Sequence, residues 1–466
     1  MSIFTSSFYI NSPSYMQDLA VSLRGLGFKL LREGKAFKAM LSELEKSQYY
    51  SEIELKQLQR EKLRRMIRHC YENVPYYKKL FRKLNLTPDD IRDISDLKKI
   101  PVITKQDVKR DPEEFRARNI NKSLMRKVFT SGTTGSPLKL YRDIHSINFE
   151  HAMIRRQYKW AGLSPEARKM VLRSSPIVPS SVKRPPFWRH DHFQKGLLLS
   201  AYHLSEENIE SYSEKILKFK PAALETVPSA VYLLAKLMHL KGIKMDLEYI
   251  FTSSEALMPH QKTFIKQQFN CRVFDHYGAA ERVAAIGMCE RGNYHIYPEY
   301  AITELLPVRG MQESFEIAGT ALNNFAMPLL RYKTGDIVIP SSEKCPCGRN
   351  FQRIESIQGR ATNEFFMTKD GRFVSLLSGM LSADLKGIIE AQFVQEEFDR
   401  IRVNIVISEK YTVMEESKLR KSVKNFLGDD IEVDIKKVPS IPRTEGGKFK
   451  QFVSKLKEDS NEKVRL

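Results

Sequence analysis

Cysteine is scarce in this chain of 466 residues, five in all, tryptophan occurs twice, and no stretch approaches eighteen consecutive apolar residues. So few cysteines exclude a disulfide framework. Without a long apolar run a transmembrane helix is not expected. Met1 to Pro13 lacks both a basic n-region and a sustained apolar core, so it does not read as a secretory signal, and a cytoplasmic location is expected. Acidic residues are also in deficit: 56 Asp and Glu face 76 Lys and Arg, a formal net charge of +20. That balance favours anionic partners, among them nucleotides, the phosphates of coenzyme A, an acidic carrier protein and an anionic membrane surface. No dense Lys/Arg block with interleaved aromatics is present, so specific nucleic-acid binding is not expected.

What is present is a composition ordinary for a globular protein, 42% hydrophobic and 28% charged, and a length that calls for a large domain with a satellite. The densest chemical signal is Thr130-Ser131-Gly132-Thr133-Thr134-Gly135-Ser136-Pro137. It lies between Lys127-Val128-Phe129 and Leu138-Lys139-Leu140-Tyr141, both strand-like, so a tight strand-to-strand loop is predicted. Glycines that let the backbone turn its N–H groups to one point, with hydroxyls beside them, suit a polyphosphate. It is not a Walker A loop, since no Gly-Lys-Ser/Thr follows and no helix opens at its end. A flexible Ser/Thr/Gly linker is the bland alternative.

Along the chain, residues 14–33 place Met16, Leu19, Ala20, Leu23, Leu30 and Leu31 at helical spacing with Arg24, Lys29 and Arg32 between them. Burial of that stripe in the core is the expectation, and a membrane-surface helix the alternative. A long helical pattern runs from Glu52 to Lys83. Beyond the loop a helix from Ile144 to Trp160 leads into alternating apolar runs (170–172, 222–224) and helices (206–218, 229–241), the signature of an α/β domain with mainly parallel sheets. Ser174 to His192, rich in Pro, Ser and Arg, reads as a surface loop or mobile lid. After 361 strands at 393–394, 401–407 and 431–438 and a helix at 414–427 describe a small lysine-rich α+β unit.

The loop resembles the phosphate-binding signature of the adenylate-forming enzymes, the superfamily of acyl-CoA synthetases and adenylation domains. Asn73-Val74-Pro75-Tyr76-Tyr77 and Ile100-Pro101-Val102-Ile103-Thr104-Lys105 are similar to the lead-in of its phenylacetate-CoA ligase branch, which includes CapK-like capsule-biosynthesis members. Further motifs follow in the family's order. Ser254 and Glu255 stand where backbone is presented to adenine. Tyr277-Gly278-Ala279-Ala280-Glu281 resembles Tyr-Gly-x-Thr-Glu, whose tyrosine stacks on adenine and whose glutamate holds Mg²⁺, with Ala280 replacing the hydroxyl residue. Asp336 in Thr334-Gly335-Asp336 matches the aspartate that binds both ribose hydroxyls, and Arg360 the arginine that contacts the nucleotide before the hinge. Lys448, in Gly446-Gly447-Lys448-Phe449, matches the catalytic lysine. The resemblance implies an α/β fold with a large N-terminal domain of mixed and parallel sheets and a small α+β C-terminal domain. Residues 1–105 would be a helical lead-in packed on the large domain, 106–360 the large ATP- and acyl-binding domain, and 361–466 the mobile small domain. It implies ATP-dependent activation of a small carboxylic acid through an acyl-adenylate, then thioester formation with coenzyme A. Transfer to a carrier protein, amine or hydroxyl in polysaccharide or secondary-metabolite assembly is the alternative, and a non-catalytic binding protein the rival of another class.

Cys289 and His295 stand just after the Tyr277 motif, and Cys345 and Cys347 follow some fifty residues later with Gly348 behind them. Three thiolates and one imidazole are the inventory of a closed structural Zn²⁺ site. The phenylacetate-CoA ligase branch carries a Cys…His and a Cys-x-Cys-Gly at similar places. Two buried thiols, a surface histidine and a tight turn make the alternative.

Overall fold

In this computed structural model the described residues are 4, 6–32, 34–130, 138–173, 176–179, 181–308, 311, 313–360, 365–367, 373–375, 387–427, 430–443 and 449–456. The chain begins with helices α1 (Ser7–Asn11), α2 (Ser14–Arg32), α3 (Lys35–Ser47), α4 (Glu52–Asn73), α5 (Pro75–Lys83) and α6 (Lys105–Arg110). The pattern from Glu52 to Lys83 is thus two helices and not one. Ser51 and Glu54 form a capping box that starts α4, Val74 is extended, and Pro75 opens α5 at a position that needs no N–H. Strands β1 (Arg126–Phe129) and β2 (Lys139–Arg142) precede α7 (Ile144–Ala161), which Asp143 caps at its start and Gly162, in the left-handed region at φ +87°, ends.

Next come β3 (Lys169–Arg173), β4 (Trp188–Asp191), β5 (Gly196–Ser200), α8 (Ile209–Phe219), β6 (Ala223–Thr226), α9 (Pro228–Leu240), β7 (Tyr249–Ser253) and α10 (Pro259–Phe269). Then β8 (Arg272–Gly278), β9 (Ala285–Met288), β10 (Tyr294–Ile296), β11 (Ala301–Pro307), β12 (Phe315–Ala321), β13 (Tyr332–Ser341) and β14 (Arg353–Arg360) follow. The chain closes with β15 (Phe365–Met367), β16 (Phe373–Ser375), β17 (Ile388–Glu397), β18 (Arg400–Ile407), α11 (Val413–Leu427), β19 (Glu432–Lys437) and β20 (Phe452–Ser454). The architecture is mixed α/β, with a smaller C-terminal α+β module, as expected.

Two compact units divide the chain. The first comprises residues 1–26, 165–273 and 358–466, the second 27–164 and 274–357. In the first, β7-β6-β3-β5-β4 lie in that order; β3, β5, β6 and β7 are parallel, and β4 runs antiparallel at the edge. Parallel strands buried on both faces need continuous apolar sequence, and Met170, Leu172, Leu197, Leu199, Leu224 and Ile250 supply it under α8, α9 and α10. The C-terminal module is a second sheet, β19-β18-β17-β20, with α11 packed on it through Leu419 and Val423. The stretch Ser174 to His192 is not simply a loop. Ile177, Val178 and Phe187 are buried in it, and its last residues form β4.

The edge strand explains a second correction. Most of the predicted apolar stripe of α2 is not core: Leu19, Leu23 and Leu30 are 55–71% exposed, as is Tyr15 beside them, while Ala20 packs against the cluster of Tyr9, Val21, Ile177 and Val178. The buried side joins Val21 to a set of polar residues. Gln17 Oε1 accepts from Arg189 Nε (2.6 Å), Asp18 Oδ1 from the N–H of His190 (3.0 Å), and Ser22 Oγ from the N–H of His192 (3.1 Å). Gly25 lies so close to Asp191 that a Cβ there would stand 2.0 Å from its carboxylate. An edge strand presents unpaired backbone groups. Here the helix satisfies them with its polar side chains, which turns the leucines outward.

In the second unit β11-β12-β13-β14-β10-β9-β8 form the sheet, antiparallel where β11 meets β12, β12 meets β13, and β8 to β10 meet one another. Arg156 of α7 is fully buried, its Nη1 bonded to Glu299 Oε1 (2.7 Å) and Leu44 O (2.9 Å). The lead-in is tied to the sheet by backbone: Ile103 N donates to Arg331 O (3.1 Å) and Lys333 N to Ile103 O (2.9 Å).

Candidate functional site

The predicted loop sits on a hairpin. β1 and β2 pair antiparallel from Arg126↔Arg142 to Phe129↔Lys139, and beyond them Thr130 N donates to Leu138 O while Leu138 N donates to Thr130 Oγ1, each 3.0 Å. Ser131, Gly132, Thr133, Thr134 and Gly135 lie outside the described residues. Under the hairpin Glu113 accepts from Lys139, Tyr141 (2.5 Å) and Arg116 (2.9 Å). Burial pushes this carboxyl up, but the hydrogen bonds from Lys139, Tyr141 and Arg116 together win and hold it well below the usual range. A depressed carboxylate contributes stability that is full above its unfolded pKa and lost as pH falls through the folded one. Glu113→Gln should therefore cost stability at pH 7, with a smaller difference from the parent at pH 3, below the ordinary value of 4.5. Urea unfolding of both proteins at the two pH values reads this; equal differences would reject it.

β8 and β13 bring together two residues that the sequence keeps far apart. Tyr277, near the end of β8, donates its Oη to Asp336 Oδ2 on β13 at 2.7 Å. Burial raises the Tyr277 phenol first, and the Asp336 charge adds to that, so the tyrosine stays protonated and a donor. Asp336 is set by the turn before it: Gly335 is left-handed at φ +79°, Thr334 Oγ1 donates to Ile317 O (3.1 Å), and Asp336 N donates to Thr334 Oγ1 (3.1 Å). Upstream on β8, Asp275 Oδ2 accepts from Tyr294 Oη (2.8 Å), and Gln157 Nε2 donates to Asp275 O (2.9 Å).

Glu281 is buried, with Tyr332 Oη donating to its Oε1 at 3.1 Å. The tight turn that holds it has Arg282 at φ +66°, a conformation L residues rarely adopt, and buried partners maintain it. Arg282 pairs with Glu150 of α7 and donates to Tyr300 Oη (3.3 Å), and burial lowers its pKa to about 10. Arg142 Nη2 donates to Ala280 O at 2.6 Å, which holds the turn by backbone where Ala280 offers no hydroxyl. Gly319 of β12 packs against the far side: a Cβ there would stand 2.0 Å from Val283 O. Arg142, Glu150 and Gly319 were not read from the sequence, since they lie far from the motif and have no spacing of their own. A Cβ at Gly278 would meet only ordinary contacts.

In the first unit β7 ends at Ser253, whose Oγ accepts from Arg173 (3.0 Å), and Ser254 is left-handed at φ +73°. Glu255 Oε2 accepts from the N–H of Ser229 in the first turn of α9 (3.0 Å), an anion at a helix N-terminus. Gly359 is left-handed at φ +81° just before Arg360, whose backbone ends β14. Lys448 lies outside the described residues. The chain on either side of it is anchored: Arg443 pairs with Glu390 and stacks on Phe449, Gln392 Nε2 donates to Lys450 O (2.8 Å), and Phe393 N donates to Gln451 O (2.7 Å).

The expected metal ligands meet in the second unit. One donor atom from each of Cys289, His295, Cys345 and Cys347 lies within 4.8 Å of the others. Cys289 Sγ and Cys345 Sγ are 3.7 Å apart, and Cys347 Sγ and His295 Nε2 3.5 Å. A tetrahedron with Zn–S near 2.3 Å and Zn–N near 2.0–2.1 Å has S···S edges of about 3.8 Å and S···N edges of about 3.6 Å. The ring's other nitrogen, Nδ1, lies 3.3 Å from Phe351 O, the partner that fixes a ligating imidazole. Asn293 Nδ2 donates to Cys345 Sγ (3.2 Å), and the Cys347 thiol is held well below the usual range, chiefly by the hydrogen bond from Cys289. The donor set, spacing and second shell fit zinc.

Residues 366–455 match the family described as the CapK C-terminal domain. Protein CapK of Staphylococcus aureus is 27% identical over 460 residues, which cover 96% of this chain and 99% of CapK. Phenylacetate-coenzyme A ligase of Thermus thermophilus is 24% identical over 443 residues, covering 86% and 96% of the two chains. Among solved structures, 2-hydroxyisobutyryl-CoA ligase in the postadenylation state with R3-HIB-AMP has a TM-score of 0.67 and 16% identity over 90% of this chain and 94% of that one, a likeness of fold.

Proposed function

We propose that this relative of CapK and of the phenylacetate-coenzyme A ligases is an AMP-forming acid–thiol ligase. It activates a carboxylic acid with ATP through an acyl-adenylate and then passes the acyl group to coenzyme A. The observation that carries the reading is the Tyr277–Asp336 pair, in which an aromatic face for a purine stands beside a carboxylate able to accept two ribose hydroxyls. Glu281, fixed by Tyr332, is a hard oxygen donor suited to Mg²⁺. Magnesium, when bound, adds positive charge at the phosphate oxygens. The hydroxyls and N–H groups of Ser131 to Gly135 would cradle the phosphates, the backbone at Ser254 would receive the adenine edge, and Arg360 would contact the nucleotide. Residues 361–466 are the small domain that carries Lys448, whose charge would meet the α-phosphate as the carboxylate attacks and pyrophosphate leaves. Zinc on Cys289, His295, Cys345 and Cys347 would brace the fold without an open position for water. A cytoplasmic location goes with this reading.

Carboxylate-dependent ATP–pyrophosphate exchange, screened over aryl, fatty, amino and hydroxy acids, is the test; no exchange with any acid would overturn the proposal. Product formation with and without free coenzyme A then separates coenzyme A from an acidic carrier protein, an amine or a hydroxyl as the acceptor. Asp336→Ala should weaken ATP and AMP together by roughly 10–100-fold, the scale of hydrogen bonds to a charged group. Calorimetry with AMP checks it, and parental affinity would reduce Asp336 to a turn residue.

A further inference from the structure

We infer that helix α2 docks this protein on an anionic phospholipid membrane. At 100° per residue Tyr15, Leu19, Leu23, Leu26 and Leu30 fall within about 80° of the helix surface. Tyr15, Leu19, Leu23 and Leu30 are 70%, 56%, 55% and 71% exposed, so one continuous apolar stripe faces solvent. The adjoining face is committed to the protein, with Gln17, Asp18, Ser22 and Gly25 against β4 and Val21 in the cluster with Tyr9, Ile177 and Val178. Rotating the helix to bury its leucines would strip the edge strand of those partners. The exposure is therefore built in, and a large apolar patch on a surface marks an interaction site.

The charges beside the stripe identify the partner. Lys29 is exposed about 40° from the edge of the stripe, Arg32 is half-buried near the helix end, and Lys35 and Lys38 are exposed at the start of α3, whereas Arg24 lies on the far side of the helix with its guanidinium over the Phe4 ring. The acid among them, Asp18, is occupied by the His190 N–H on the protein side. In its last turn α2 lends Phe28 and Arg32 to an open cavity of about 250 Å³, which Leu124, Arg126, Ile144 and Ile147 also line. Two guanidiniums at an apolar recess match the phosphate and first methylenes of a lipid. An apolar stripe with basic flanks lies in the plane of an anionic interface. A second copy is the poorer occupant, because the same basic flanks would meet one another on a chain of net charge +20. Among the described residues no helix is long and apolar enough to cross a membrane, so the contact is peripheral.

Co-sedimentation of the full chain with vesicles of 70:30 phosphatidylcholine:phosphatidylglycerol and of pure phosphatidylcholine, at 0.1 M salt, tests this. Partitioning should be at least roughly tenfold stronger on the anionic vesicles. Leu19→Glu with Leu23→Glu should lower it at least tenfold, and Lys29→Gln with Arg126→Gln should remove about fivefold per residue on anionic vesicles alone. Both double variants change exposed positions, so circular dichroism and thermal unfolding should match the parent. Three results would overturn the inference: no binding to either vesicle, equal binding to both, or a concentration-dependent dimer in sedimentation velocity that the leucine variant turns into monomer.

Discussion

Lys448→Ala should lower acyl-adenylate formation at least roughly 10²-fold, the scale of losing one preorganised donor to a developing oxyanion. The argument is differential binding. Negative charge on the non-bridging oxygens of the α-phosphoryl group differs most from that of bound ATP when carboxylate oxygen and pyrophosphate oxygen are both partly bonded, so a cation beside those oxygens stabilises the transition state more than the ground state. The loss should thus appear in the rate of pyrophosphate exchange at saturating ATP, while ATP affinity changes little. Lys448→Arg should not restore the parent rate, because a planar fork cannot take the place of a compact ammonium. The flanking segment is held independently, by the pairing of β20 with β17 and by Arg443 on Glu390 and Phe449, so the alanine variant should unfold like the parent. An unchanged exchange rate would withdraw the assignment.

Cys345→Ser should remove about one zinc per chain, as read by elemental analysis of tag-free protein. The four clustered donors are the number that a structural tetrahedral site takes, and the binding energy of such a metal would be folding energy. The pair Cys345 and Cys347 belongs to the segment joining β13 to β14, whereas Cys289 and His295 flank the turn between β9 and β10. Loss of the metal would unpin these two segments next to the core formed by Trp160, Tyr297 and Phe351. Stability should fall by roughly 3–5 kcal/mol, the upper tail for one substitution. Unfolding should then come about 6–10 °C earlier, at about 2 °C per kcal/mol for a protein of this size. Cobalt exchanged into the parent should give thiolate charge-transfer bands absent from the variant, a readout independent of turnover. Metal-free protein of full stability would dismiss the site.

Much of this was readable in sequence because local order and chemistry coincide there. Lys127-Val128-Phe129 and Leu138 to Tyr141 alternate as strands must, and they pair. The runs at 170–172 and 222–224 are parallel strands, and 401–407, 414–427 and 431–438 fall on β18, α11 and β19 to within a residue or two. Cys289, His295, Cys345 and Cys347 announce themselves by ligand chemistry, and they converge. What escaped is what depends on distant partners. Nothing near Val74 and Pro75 says that the helical pattern must break there except the proline itself. Nothing in α2 says that β4 will claim its polar face, since the moment of a helix gives its stripe but not which side meets protein. Arg142, Glu150 and Gly319 support the Glu281 turn from other elements, and only three dimensions put them there.

The backbone tie between Ile103 and the start of β13 joins positions more than two hundred residues apart, and the polar face of α2 likewise waits for β4. On a ribosome adding about 5–20 residues per second, β13 emerges some 10–45 s after Ile103. Until then Ile100, Ile103 and the apolar residues of α4 and α5 have no completed core to enter, and the earliest helices ride on an unfinished chain. Slow translation or a destabilised β13 should therefore show first as chaperone capture and proteolysis of the amino-terminal hundred residues, and only later as lost activity.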